Sequence, residues 1–195
     1  MTSSKSGPLR RASEFFYAKS TLVTALIATA AFAGYTLLVL SGQGKAFEVA
    51  NSTVKSLGTS LGFGQAEILA FFAERSAGQI SAYITFNQVW DSLYGVIYGV
   101  MYVVWVSMLF KPYSLKVGLL NLLPFGQVLF DWLENASLVA LSNQFLADGT
   151  ISSSTALLAS TFSAIKWVFS LVVYLVILAG IVIRIAGALK RRSQR

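Results

Sequence analysis

The chain has 195 residues, of which 55% are hydrophobic and only 12% are charged. This composition excludes an ordinary soluble domain and is typical of a protein that lies in lipid. The chain contains no cysteine and no histidine, which excludes a disulfide, a thiol nucleophile, an imidazole base and any metal site built from these residues. We therefore expect no metal and no cofactor.

Most of the positive charge lies at the two ends of the chain. The formal net charge is +7, and residues 1–19 and 190–195 hold a large share of the basic side chains: Lys5, Arg10, Arg11, Lys19, Lys190, Arg191, Arg192 and Arg195. Basic clusters beside apolar stretches are typical of contact with anionic lipid headgroups. We expect membrane lipids, and no nucleic acid, as partners.

Four apolar stretches follow one another along the chain, at residues 20–40, 89–110, 117–145 and 163–189. About 20 such residues are needed to cross the hydrocarbon core of a bilayer. Each stretch is predicted to be a helix, because helices and closed barrels alone satisfy the backbone in lipid and none of the four alternates like a barrel strand. The sequence thus predicts an all-α integral membrane four-helix bundle over residues 20–189.

The basic segments predict how this bundle is oriented. The N-terminus 1–19, the link 111–116 and the tail 190–195 are the densest in lysine and arginine, and a path of four spans places all three on one side. The positive-inside rule makes that side cytoplasmic. The connections 41–88 and 146–162 are then expected on the outer side.

The first outer connection contains an amphipathic segment at residues 65–75. Its apolar side chains are flanked by charged ones: Ile68, Leu69, Phe71 and Phe72 lie between Glu67 and the pair Glu74 and Arg75. This pattern predicts a short interfacial helix with its apolar face on the membrane. Two roles fit it, an anchor or a lid over an outward-facing site.

The second span carries two separate patterns. Gly95 and Gly99 form a GxxxG motif, which lets helices approach closely, either within the bundle or in a homo- or hetero-oligomer. A stripe headed by a carboxylate recurs at spacings of three and four: Asp91, Tyr94, Tyr98, Tyr102 and Trp105. Such aromatics serve either in packing or in a ligand site.

The third span is interrupted by polar residues on one side, namely Gln127, Asp131, Glu134 and Asn135. A charge at the centre of a lipid-facing helix costs about 2.5–3.5 kcal/mol, so this side is expected to face protein or a wet cavity. Pro124, near the beginning of the span, is expected to kink the helix or loosen its inner half.

Three segments that are distant in sequence place ionisable residues at a similar depth. Asp131 lies about 22 Å along a helix from Lys116, and Asp91 and Lys166 are the first ionisable residues of their spans from the outer side. We therefore predict a shared cluster of Asp91, Asp131, Glu134, Asn135 and Lys166. Because three carboxylates face one ammonium, one carboxylate is expected to keep its proton, which makes Asp131 and Glu134 candidates for acid–base catalysis. Structural pairing between helices is the alternative.

The chain also shows an ordered pattern over residues 65–185: an amphipathic segment, Tyr83, Asp91 with Tyr94 and Tyr98, Leu123-Pro124 before Phe130-Asp131-Trp132-Leu133-Glu134-Asn135, and Lys166-Trp167. In this pattern it resembles a group of small, uncharacterised four-span bacterial membrane proteins. The resemblance implies that the four segments form one unit in a bacterial plasma (inner) membrane. It implies no reaction.

Three functions remain open. The first is a binding protein whose outward-facing pocket holds a small amphipathic ligand, a lipid or a proton, with Asp91, Tyr94, Tyr98, Gln127, Asp131, Glu134, Asn135 and Lys166 as its contacts. The second is a structural or accessory subunit of a larger membrane complex. The third is a membrane enzyme that uses Asp131 or Glu134 on a lipid-like substrate.

Overall fold

The computed structural model describes residues 7–54 and 56–194, so Lys5, Lys55 and Arg195 lie outside the described residues. Within these ranges the chain is helical and contains no strand, which confirms the all-helical prediction. We number six helices in chain order: α1 (Pro8–Lys19), α2 (Leu22–Phe47), α3 (Gln65–Ala73), α4 (Ala77–Val117), α5 (Leu123–Asp148) and α6 (Ser153–Ser193).

Three of the described helices are long and apolar enough to cross a membrane, namely α2, α4 and α6. Helix α5 has the same 26-residue length as α2. It packs along both α4 and α6. Its polar side chains, from Gln127 to Asn135, make it less apolar than the other three helices.

The helices extend beyond the predicted spans at the end of the bundle that carries α3, here called the α3 end. Helix α4 begins at Ala77 rather than at residue 89, and it continues through a π-helical segment, Phe86–Asp91. Helix α2 likewise continues through a π-helical segment to Phe47. The expected outer loop 41–88 is therefore largely helical.

Helix α5 begins later than the predicted residue 117. Gly118 has a φ of +56° and ends α4 at Val117, and a 3₁₀ turn at Leu120–Leu122 precedes α5. Pro124 lies in the first turn of α5, where the missing N–H costs no helical hydrogen bond. Of the two predicted effects the kink is wrong, because Pro124 starts the helix, whereas residues 118–122 of the predicted span are indeed not regular α-helix.

Helix α1 is fastened to the turn between α4 and α5, and we call this end of the bundle the α1 end. The Ser13 hydroxyl donates to Oδ1 of Asn121 (2.6 Å), and Nδ2 of Asn121 donates to the Ser13 carbonyl (3.0 Å) and to Ser107 (2.9 Å). The Lys111 ammonium donates to the Ala18 carbonyl at 2.8 Å. Residues 8–19 of the basic N-terminal segment are therefore fastened to the other helices.

Helix α3 is formed as predicted, but its apolar face is covered by protein. Ile68, Phe71 and Phe72 are fully buried in a cluster that we call the α3 core, which also contains Phe47, Tyr83, Leu138, Leu141, Ala156 and Ala159. The prediction that this face lies on the membrane is therefore wrong. The α3 core instead joins α2, α4, α5 and α6, so α3 packs between these helices at this end of the bundle.

Arg75 closes the α3 core from the side of α2. Its Nε donates to the Phe47 carbonyl at 3.0 Å, and its guanidinium lies 3.4 Å from the centre of the Phe71 ring. Burial lowers the pKa of the Arg75 guanidinium from its usual range. The contacts nevertheless satisfy part of its donor set and tie the end of α2 to α3.

The GxxxG motif brings α4 and α5 together within the chain. A Cβ added at Gly95 would lie 3.1 Å from Oδ2 of Asp131, and one added at Gly99 would lie 2.5 Å from Cγ2 of Val128. Both glycines are buried. This face packs against α5, as expected if the motif serves packing within the bundle.

Candidate ligand-binding cavity

A cavity of about 320 Å³ lies between α2, α4, α5 and α6. A 3₁₀ turn at Leu57–Thr59, here called the Gly58 turn, contributes to its wall from the α3 end. Six of the predicted site residues line it: Asp91, Tyr94, Tyr98, Gln127, Asp131 and Lys166. The polar residues of three distant segments therefore meet around one space.

Lys166 holds the centre of the cluster. Its Nζ lies 3.2 Å from Oδ1 of Asp131, is paired with Glu134, and donates to the Gly58 carbonyl at 3.1 Å. The ammonium is thus surrounded by three oxygens, two of them from carboxylates. Lys166 therefore fastens α6 both to α5 and to the Gly58 turn.

Glu134 and Asn135, the two remaining predicted residues, lie behind the cavity wall. Glu134 is fully buried and reaches Lys166 from α5. Asn135 donates through Nδ2 to Oδ2 of Asp91 at 2.9 Å and so joins α5 to α4. Of the two catalytic candidates, only Asp131 lines the cavity.

The charges of the cluster do not balance. Asp91, Asp131 and Glu134 can contribute three negative charges, whereas Lys166 is the one basic side chain in the cavity wall among the described residues. Asp91 has no ion-pair partner in the part of the chain that the structure describes. A cavity that is lined in this way carries an excess of negative charge when its carboxylates are ionised.

Several buried polar atoms in the wall have no hydrogen-bond partner among the described residues. They are the Tyr83 and Tyr98 hydroxyls, Oε1 of Gln127, Oδ2 of Asp131 and Nε1 of Trp167, with the Tyr98 hydroxyl lying beside the Asp131 carboxylate. A buried polar group without a partner costs about 1–3 kcal/mol, and native proteins contain few of them. Because these atoms are concentrated around one cavity, we expect water or a ligand to form the hydrogen bonds that they lack.

Tyrosines form the other wall of the cavity. The ring centres of Tyr94 and Tyr98 are 5.3 Å apart, those of Tyr98 and Tyr102 are 6.0 Å apart, and Tyr102 lies 5.7 Å from Tyr174 of α6. The predicted stripe divides here, since Trp105 faces α2 and donates to Thr29 at 2.9 Å. The three tyrosines of the stripe, Tyr94, Tyr98 and Tyr102, line the cavity, whereas Trp105 does not.

Tyr174 marks a side opening of the cavity. It lines the cavity and is nevertheless 47% exposed. It lies two helical turns beyond Lys166, about 12 Å along α6, and its exposed neighbours Leu171, Leu175 and Leu178 are apolar. The opening therefore leads from a polar interior to an apolar surface.

Sequence reasoning did not include several residues of this wall among the site residues, notably Gly58, Trp167, Ser170 and Tyr174. Lys166, Ser170 and Tyr174 recur at every fourth residue, so the helical period could have identified one face of α6. Trp167 follows Lys166 directly. Gly58 acts through its backbone carbonyl, for which the sequence carries no signal.

The chain was compared with family models, curated proteins and solved structures, and none matches it.

Proposed function

We propose that this protein crosses the membrane four times and binds a small amphipathic molecule in the cavity. Helix α5 is the fourth span in this proposal. At 26 residues it is about 39 Å long, sufficient for a bilayer. Its polar side chains face the cluster, while exposed side chains such as Phe125, Leu129 and Trp132 are apolar or aromatic and suit lipid.

The distribution of basic residues supports a cytoplasmic location for the α1 end. Arg10, Arg11, Lys111 and Lys116 lie in α1 and at the end of α4, and further basic residues end α6. The α3 end then faces outward, and the charged part of the cavity lies in the outer half of the bilayer. The resemblance to four-span bacterial proteins supports a bacterial plasma membrane as the location.

A single observation carries the proposed function: one cavity combines unpartnered buried polar atoms with an aromatic wall that opens toward an exposed apolar surface. Ligand sites typically have volumes of about 300–1,000 Å³, and a few polar groups in an otherwise apolar wall fix the ligand. An amphipathic molecule matches both the polar interior of this cavity and its apolar opening at Tyr174.

A purely structural role for the polar cluster does not account for the open cavity or for its unpartnered polar atoms. The ion pairs of Lys166 do fasten helices together, but a structural lock needs neither an open space beside it nor polar atoms left without partners. Of the two acid–base residues that the sequence suggests, only Asp131 reaches the cavity, because Glu134 lies behind its wall. Binding is therefore the function that the geometry supports best.

Filling the cavity tests the proposal. Ser170 lines the cavity, is almost fully buried, and donates only to the Lys166 carbonyl of its own helix. Ser170→Phe is expected to remove at least about nine-tenths of any co-purified amphiphile, measured by mass spectrometry of an organic extract. The control is Leu171→Phe, which adds a ring on the exposed face of the same helix.

Equal ligand content in the native protein and in Ser170→Phe would contradict the proposal. If Ser170→Phe fails to fold, Tyr174→Ala at the opening gives a second test. It is expected to weaken retention of the ligand while leaving the α3 core intact.

A further inference from the structure

We infer that the cavity binds the protonated amino group of a cationic amphiphile, with Asp91 as its counter-ion. This inference rests on the proposed function and specifies the chemistry of the ligand. It follows from the charges of the wall, from its acceptor atoms and from its aromatic faces.

The charges of the wall disfavour an anionic headgroup, although its unpartnered atoms include the Trp167 indole N–H, a donor. Its one basic side chain among the described residues is Lys166, whose ammonium already contacts Asp131, Glu134 and the Gly58 carbonyl. Two carboxylates thus already compensate the charge of this ammonium, which leaves little attraction for a phosphate or a carboxylate. An anion in the cavity would also lie beside Asp91 and Asp131 without compensation.

The wall is, in contrast, prepared for a cation. Asp91 accepts one hydrogen bond, from Asn135, and has no ion-pair partner in the described residues. Oε1 of Gln127 is a buried acceptor without a donor, and Oδ2 of Asp131, although the Tyr98 hydroxyl lies beside this carboxylate, accepts no hydrogen bond of good geometry. The N–H groups of a protonated amine supply the donors that these oxygens lack, and its positive charge offsets the excess of carboxylates.

The tyrosines strengthen the same preference. Tyr94 and Tyr98 follow Asp91 on one face of α4, and both rings line the cavity. The face of an aromatic ring attracts an ammonium group when the two lie within about 6 Å. An amine beside Asp91 is therefore flanked by a carboxylate and by aromatic rings.

The apolar part of the ligand has a path out of the cavity. From Asp91 to Tyr102 the wall extends about 16 Å along α4, and it reaches the exposed side of Tyr174. A single alkyl chain that is attached to the amine leaves along this path and enters the surrounding lipid. The cavity thus selects the headgroup, while the bilayer accepts the remainder of the chain.

The test uses the full-length protein in phosphatidylcholine nanodiscs and three probes with the same chain length: octylamine, 1-octanol and octanoate. Saturable binding is measured by isothermal titration calorimetry, with empty nanodiscs as the partition control. Octylamine is expected to bind at least about tenfold more tightly than either other probe, because only the cation gains an ion pair with Asp91.

A matched pair of variants assigns the effect to the cavity. Asp91→Asn retains an oxygen that accepts the Asn135 hydrogen bond, so the fold is expected to persist while octylamine binding falls about tenfold. Asp148→Asn removes an exposed carboxylate at the end of α5, away from the cavity, and is expected to leave binding unchanged.

The outcomes distinguish this inference from the proposed function. Equal saturable binding of octanol and octylamine, or preferred binding of octanoate, would overturn the inference and leave the proposed function standing. An equal loss of octylamine affinity in Asp91→Asn and Asp148→Asn would also overturn it. If no probe binds to the protein above the nanodisc background, both proposals fail.

Discussion

Two adjoining regions of the helix bundle are filled in opposite ways. In the α3 core, Ile68, Phe71 and Phe72 are fully buried by apolar neighbours, whereas the cavity beside it is open and has unpartnered polar atoms in its wall. Phe47 and Tyr83 belong to both regions and separate them. The same helices thus pack densely over one stretch and leave a space over the next.

This difference indicates what each region contributes. Dense apolar packing stabilises the fold, because every buried side chain there gains contact and loses water. The polar cavity contributes little through packing and carries the cost of desolvated charges. We therefore expect substitutions in the α3 core to act on stability, and substitutions in the cavity wall to act on ligand binding unless they break an ion pair.

The largest effect is expected from Lys166→Met. This change leaves Asp131 and Glu134 buried without a cation, and breaking a buried pair in this way costs about 3–5 kcal/mol. The yield of monodisperse protein on size-exclusion chromatography measures it, with the exposed Lys190→Met as control. Native-like yield and thermal stability would show that the ion pairs do not hold the bundle together.

A smaller loss is expected from Ile68→Ala in the α3 core. Truncation of a fully buried isoleucine destabilises a protein by about 2–5 kcal/mol. The thermal transition should fall clearly, while the ligand content per folded molecule stays native. Leu61→Ala, at an exposed side chain of the same end, is the control. Loss of ligand at full stability would remove the distinction between the two regions.

The close approach of α4 and α5 behind the cavity gives a third prediction. Gly99→Ala places a Cβ against Val128, and such overpacking costs about 1–3 kcal/mol. Gly34→Ala meets no atom within 4 Å and is expected to be neutral or slightly stabilising. Thermal denaturation compares the two variants, and the double variant Gly99→Ala with Val128→Ala should recover stability. A failure of this recovery would contradict the contact.

The smallest effect on stability is expected from Tyr98→Phe. Its buried hydroxyl lies beside Asp131 without forming a hydrogen bond of good geometry, so removing it should change stability by less than about 0.5 kcal/mol while it weakens ligand binding. In contrast, the Tyr35 hydroxyl donates to the Trp90 carbonyl at 2.8 Å, and Tyr35→Phe is expected to cost about 1 kcal/mol. The reverse order of the two thermal transitions would show that the Tyr98 hydroxyl is already satisfied.

The meeting of the polar residues was predictable from the sequence because lipid leaves few alternatives. Asp131 and Glu134 interrupt an apolar stretch, and a charge in such a place must face protein and find a partner, which Lys166 provides. The position of Asp91 in the cluster was predictable because Asp91, Asp131 and Lys166 lie at a similar depth in their spans. Hydropathy likewise identified apolar stretches that correspond to α2, α4 and α6.

Other features depend on contacts that a linear pattern does not contain. An amphipathic helix has the same pattern whether lipid or protein covers its apolar face, so the burial of α3 required the tertiary structure. The Gly58 carbonyl reaches Lys166 only because a distant turn folds over α6. The role of Pro124 depended on where α5 begins, and helix boundaries are weakly encoded.

The most direct test of the account is a density map of the native protein in a lipid environment, with the Ser170→Phe variant for comparison. We predict an elongated non-protein density that extends from Asp91 past Tyr98 to the opening at Tyr174, and its loss in the variant. A native cavity that contains only ordered water, or that its own side chains have closed, would contradict the claim that this protein binds an amphipathic ligand between its helices.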